Sequence, residues 1–194
     1  MALKLITAPT DEPIGLAEAK AQLRVDHTAE DVYIESLIQA ARDVVEVESL
    51  HALLTQTWGL YRDAWPADDF LEIPKPPLQS VTEITYKDEN GDTQTLSTDV
   101  YFVDTNQTPG RVCLKPNQSW PSDSLWPYGA ITITFVCGWT AARDIPPKAI
   151  QALKLQLADF YENRESLVVG QQVNQVASGI SGLLFDLRAQ AITW

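Results

Sequence analysis

The stretch ITITFVCGWTAARDIPPKAIQALKLQLADFY, Ile131 to Tyr161, changes its period halfway along. Ile131, Ile133 and Phe135 alternate with Thr132, Thr134 and Val136. That two-residue repeat, rich in β-branched side chains, predicts a strand. Pro146-Pro147 then opens a helix, because proline's fixed φ and missing N–H suit a first turn. Ile150, Leu153, Leu157, Phe160 and Tyr161 recur at helical spacing and predict its buried stripe. One run of strands closing on one helix points to an α+β fold.

Upstream of that switch the strand signals continue. Thr55 to Tyr61 alternates, with Trp58 and Leu60 on one face, and Phe70 to Ile73 is a short strand stopped by Pro74, Pro76 and Pro77. Val81 to Lys87 and Thr93 to Leu96 flank Asn90-Gly91, a hairpin signal. Tyr101 to Val103 and Arg111 to Leu114 surround Pro109-Gly110. An antiparallel β insertion is therefore expected over 55–140. The loop Pro116 to Gly129 carries Trp120 and Trp126. Tryptophans there cover the open edge of a small β domain or grip a sugar or peptide.

Further upstream the period is helical. Leu3, Leu5 and Ile6 begin an extended arm that Pro9 and Pro13 keep from becoming helix. Leu16 to Arg24 reads as a short helix. Thr28 is placed to cap a second, with Glu30 and Asp31 at the positive end of its dipole. Ile34, Leu37, Ile38, Ala41, Val44 and Val45 form its apolar face; Glu35, Gln39, Arg42, Asp43 and Glu46 lie opposite. The helix near 147–163 is more basic, with Lys148 and Lys154. Helices of opposite bias can pack within one subunit or between neighbours.

These readings divide the chain into 1–54 (arm and two core helices), 55–140 (β insertion), 141–165 (core helix) and 166–194. The last part is polar from Ser166 to Ser181, where an extended arm is expected. Leu183 to Ala191 predicts a short amphipathic helix, with Trp194 apolar beyond it, either a frayed terminus or a peg that orders against another protein.

Composition narrows the function classes. The net charge of −12 over 194 residues excludes a basic footprint for reading DNA sequence, though not DNA passing nearby. No run approaches the roughly 18 apolar residues of a membrane span, so no membrane partner is expected. The first residues lack the ordered regions of a signal peptide, which points to the cytoplasm. Cys113 and Cys137, both in strands, read as buried thiols. His27 and His51 lie at helix ends, as capping or surface residues, with no neighbouring nucleophile. Asp68-Asp69 and Asp88-Glu89-Asn90-Gly91-Asp92 are turn chemistry, and the latter lacks the ligand spacing of a calcium loop. No catalytic residue, metal or cofactor is expected. Three classes remain: a structural connector, a carbohydrate- or peptide-binding β module, and a hydrolase whose site has no sequence signature.

Several short blocks occur in a shared order: Leu16-Ala17-Glu18-Ala19-Lys20 with Leu23-Arg24-Val25-Asp26, Leu54-Thr55-Gln56-Thr57-Trp58, Pro76-Pro77-Leu78-Gln79-Ser80-Val81, Pro109-Gly110-Arg111-Val112, and Tyr161-Glu162-Asn163-Arg164-Glu165. Together, over residues 3 to 169, they resemble the head–tail connector proteins of long-tailed double-stranded DNA phages, prophages and gene transfer agents. These are also called adaptor or head-completion proteins. The resemblance implies a structural, non-catalytic part of the virion neck, assembled in the host cytoplasm. It implies a ring of identical copies, usually twelve, beneath the portal protein. The ring would extend the DNA channel and meet a stopper or tail terminator protein. In related adaptors a C-terminal segment reaches the portal; the matching residues here are Leu183, Leu184, Phe185, Leu187, Arg188 and Trp194. An acidic face turned to the axis would let DNA pass without holding it, which assigns Glu35, Asp43 and Glu46 to the channel.

Overall fold

The two periods in the sequence become two packed units in a computed structural model, which describes residues 1–164 and 177–192. One unit is built around Met1–Pro9 and Thr55–Gly138, the other around Thr10–Leu54 and Trp139–Gln190. The mixed α+β class read from the sequence is the class observed.

The β unit holds eight strands: β1 (Ala2–Thr7), β2 (Gln56–Arg62), β3 (Phe70–Ile73), β4 (Leu78–Lys87), β5 (Thr93–Thr95), β6 (Tyr101–Asp104), β7 (Gly110–Leu114) and β8 (Ile131–Cys137). Five form an antiparallel sheet in the order β1-β2-β8-β4-β5, and three form a second in the order β3-β7-β6. β8 is central because its alternation is cleanest. Ile131, Ile133, Phe135 and Cys137 are all buried while the residues between them are half-covered. Ile133 stands opposite Leu60 on one side and Ile84 on the other, both buried. Such cross-strand apolar pairs are what fix register, since a one-residue slip would turn every one of them outward. Gly110 marks a close approach, because a Cβ there would lie 2.5 Å from Leu78 Cβ. Asn90-Gly91 forms the β4–β5 turn, with Gly91 at φ +86°, a region glycine enters without steric cost.

The N-terminal arm is a correction. Leu3, Leu5 and Ile6 belong to β1, which pairs with β2 in register Leu3 to Leu60 and Leu5 to Trp58. It is thus part of the sheet and not of the helical frame. Its partner lies more than fifty residues away, so no local pattern announces the pairing.

The helical unit contains α1 (Leu16–Leu23), α2 (Asp31–Ser49), α3 (Pro147–Glu162) and α4 (Ala177–Ala191), with a short 3-10 turn at Ala142–Asp144. Ile34, Ile38, Ala41 and Val45 of α2 meet Ala149, Ala152, Leu153 and Leu157 of α3 in one cluster, joined by Ala19 of α1. Each fully buried Ile, Leu or Val side chain among these contributes about 1.5–3 kcal/mol, the alanines less. α2 starts at Asp31, not at Thr28, and Glu30 occupies the cap position without a side-chain capping bond.

The C-terminal expectation is corrected too. α4 begins at Ala177, so residues 177–181 are helix instead of extended arm. Ile180, Leu184 and Leu187 enter the core cluster, with Leu183 packed against it. Three apolar residues at i, i+4 and i+7 make one inward stripe. The remainder of the expected arm, 166–176, and Trp194 lie outside the described residues.

Candidate functional site

The acidic face expected on α2 divides in two. Glu35 and Asp43 are exposed. Glu46 is 6% exposed, and its Oε1 accepts the Leu53 backbone N–H at 2.8 Å. This corrects its assignment to an exposed face. The chain leaves α2 through Leu50 at φ +61°, a left-handed conformation unfavourable for leucine, and the buried residues Ala52 and Leu53 follow. A buried N–H needs an acceptor, and Glu46 supplies it. The signal was in the sequence: Ile38, Arg42 and Glu46 fall at i, i+4 and i+8, one line running along the edge of the buried face. Arg42 on that line is also drawn in, its Nη1 donating to Glu12 Oε1 at 2.7 Å. Burial raises the Glu12 carboxyl above its ordinary value, and the Arg42 guanidinium opposes that rise.

The exposed ridge of α2 therefore reads Val32, Glu35, Gln39, Asp43, Val47. Val32 is 81% and Val47 67% exposed, so the ridge is apolar at both ends and acidic between them. The complementary basic face expected on α3 is engaged inside the same unit. Lys154 Nζ lies 2.7 Å from Glu18 Oε1 of α1, and Lys148 pairs with Asp186 of α4.

A polar junction that sequence reasoning did not single out ties the start of α2 to the end of α3. Tyr161 Oη donates to Glu30 Oε2, and Arg164 Nη2 donates to Glu30 Oε1, both at 2.6 Å. The Arg164 guanidinium also lies over the rings of Tyr33 and Tyr161, at 4.8 and 4.9 Å from their centroids. The Tyr161 and Arg164 bonds hold the Glu30 carboxyl below its ordinary range, and the bond to Glu30 raises the Tyr161 phenol. The available signal was Tyr161 and Arg164 at i, i+3, a spacing that puts both on one side of a helix end.

Of the residues assigned to a portal contact, Leu184 and Leu187 are buried in the helical unit and so leave no free side chain. Leu183 is half-buried. Phe185 is 67% exposed, and Arg188 lies 3.7 Å from Glu48 with much of its side chain in solvent.

The β unit gives its tryptophans structural work. Trp120 stacks on Trp65 with centroids 5.1 Å apart, and its Nε1 donates to the Asp68 carbonyl at 2.9 Å. Its inner face is thus taken. Trp126 packs over Gly91 at the β4–β5 turn. Asp88 Oδ1 accepts the N–H groups of Asn90 and Asp92, the turn chemistry that its sequence context predicts. Among the described residues no group of three His, Cys, Asp or Glu could hold a metal ion. His51 is not a surface residue. It is buried, stacked on Trp139 at 5.6 Å, with Nδ1 2.9 Å from the Ser49 carbonyl. Cys137 is buried and Cys113 half-buried, and burial raises the Cys113 thiol. No helix among the described residues is long and apolar enough to cross a membrane.

What the surface presents is a ridge of mixed charge and apolar side chains, an exposed aromatic on α4 and an open sheet edge. The chain belongs to the family of phage gp6-like head-tail connector proteins, whose model matches residues 13–109, half of its length. None of the curated proteins matches it. Its fold is that of a chain in the neck of an empty GTA particle computed with C6 symmetry and of a chain in the virion of a native gene transfer agent particle. Each is 22% identical, with a TM-score of 0.80, covering 100% of this chain and 97% of the other. A chain in the neck of a native GTA particle computed with C12 symmetry is 20% identical, with a TM-score of 0.77 over the same shares.

Proposed function

We propose that this chain is the adaptor of a virion neck, a closed ring of identical copies that joins the portal protein to a stopper or tail terminator and extends the DNA channel. The observation that carries the reading is membership of the head–tail connector family. A fold shared over the full length with chains of GTA necks supports it, and the twelvefold description of one such neck favours twelve copies. The function is mechanical and needs no catalytic group: one surface grips the component above, another the component below, and a third the neighbouring copy.

The channel reading rests on charge. A wall that bound phosphate would stall DNA, and the net charge of −12 disfavours such binding. Glu35 and Asp43 on the exposed ridge of α2 are the residues assigned to that wall. The portal contact is assigned to the exposed Phe185 and Arg188 of α4. DNA would pass without sequence-specific contact. The test is genetic. Particles assembled without the chain should accumulate as filled or leaking heads without tails, and supplying the chain should restore joining. If particles lacking it still join head to tail and keep their genome, the reading fails.

A further inference from the structure

The five-stranded sheet has two open edges, and they differ. β1 is six residues long, every one exposed, and Leu3, Leu5 and Ile6 leave 36%, 41% and 51% of their surface open. It contains no proline and a single charge, Lys4. Lys4 and a register shift between Leu5 and Thr7 blunt this edge only in part, and a mostly apolar edge invites another strand. β5 is short and polar, Thr93-Gln94-Thr95, and its segment from Asp88 to Asp99 carries Asp88, Glu89, Asp92 and Asp99 with no cation.

Direction adds a second constraint. Each of the four pairings across β1-β2-β8-β4-β5 is antiparallel, so β1 and β5, four steps apart, run the same way. A head-to-tail contact joins two unlike surfaces and can close into a ring; a two-fold contact joins like surfaces and stops at a dimer. Around a rotation axis running along the strands, neighbouring copies keep one strand direction. The β5 edge of one copy would then meet the β1 edge of the next as a parallel pair, with strands about 4.8 Å apart. Charge selects the same combination. Two β5 edges would repel each other, whereas Lys4 on β1 faces an acidic segment on β5.

Resting on the ring reading above, we propose that neighbouring copies join through their β units, with β1 of one copy extending the sheet of the next at β5. The sheet then continues from copy to copy. The occupant of the β1 edge is another copy of this chain, and the covered side chains are Leu3, Leu5 and Ile6.

The test uses assembled particles carrying Leu3→Cys and Gln94→Cys in every copy, in a Cys113→Ser background, treated with a short bismaleimide. Denaturing gels should then show a ladder of multimers of this chain, because each copy links to two neighbours. Either single variant should give no ladder. Several results would overturn the proposal: monomers only, in particles whose neck ring is visible by microscopy; a dimer from Leu3→Cys alone; or a product joining this chain to a different protein. In the first of these the ring reading survives and the edge pairing does not. Particles with no ring of this chain would remove both.

Discussion

The sharpest consequence of the structure concerns Glu46, which the helical wheel places on the acidic face and the fold places inside. Glu46→Leu keeps the approximate volume and removes the acceptor for the Leu53 N–H, in a segment where Leu53 is fully buried. An N–H left unsatisfied in the interior costs about 1–3 kcal/mol. At about 2–4 °C per kcal/mol for a chain of this size, the midpoint should fall by about 4–8 °C for a 2 kcal/mol loss. Glu46→Gln retains an acceptor oxygen and should lose well under half as much. Glu46→Lys would place an ammonium group where an N–H needs a carbonyl or carboxylate, and should be the worst of the three. Thermal unfolding followed by circular dichroism, on all three variants and on Glu35→Leu as a surface control, decides the matter. Glu35→Leu should shift the midpoint by about 1–2 °C at most, as surface substitutions do. If Glu46→Leu behaves like Glu35→Leu, the argument that Glu46 secures the exit from α2 is wrong.

Other consequences are more compact. Glu35→Lys with Asp43→Lys should leave neck assembly intact but slow DNA release, measured by the fluorescence of an intercalating dye after triggered ejection; unchanged kinetics would count against the acidic wall. The Glu30 carboxyl is held below its ordinary value of 4.5, so its bonds to Tyr161 and Arg164 stabilise the chain fully above that pH and less as pH falls through the folded value. The gap in midpoint between the native chain and Tyr161→Phe should therefore be largest at neutral pH and shrink in acid; a gap that widens in acid would refute the junction. Gly110→Ala drives a methyl to 2.5 Å from Leu78 Cβ, so it should destabilise the β unit by about 1–3 kcal/mol in a urea titration, whereas a null effect would mean β4 yields freely.

The parts of the fold that the sequence made legible are those whose periodicity is local. β8 shows its alternation within seven residues, the β4–β5 turn its Asn-Gly, and α3 its prolines and stripe. β1 was legible as extended but not as a sheet member, because its partner β2 is distant in sequence and its own side chains are all exposed. α4 was legible as amphipathic, yet amphipathicity does not say whether the apolar stripe meets its own chain or another; Leu184 and Leu187 meet their own. His51 and Trp139 stack across some ninety residues, a contact no window contains. At the candidate site the charge of Glu35, Asp43 and Glu46 was plain, but charge does not by itself report direction. Only the edge line through Ile38 and Arg42 hinted that Glu46 turns inward. The Glu30, Tyr161 and Arg164 junction joins residues 131 and 134 positions apart, and was visible only as a block of the family pattern.

The most direct measurement is an image of assembled particles at side-chain resolution, focused on the joint between head and tail. The account predicts one closed ring of this chain there, twelve copies with the portal above it, and the Glu35 and Asp43 carboxylates lining the bore. Density for this chain elsewhere in the particle, or a neck that is complete without it, would contradict the account.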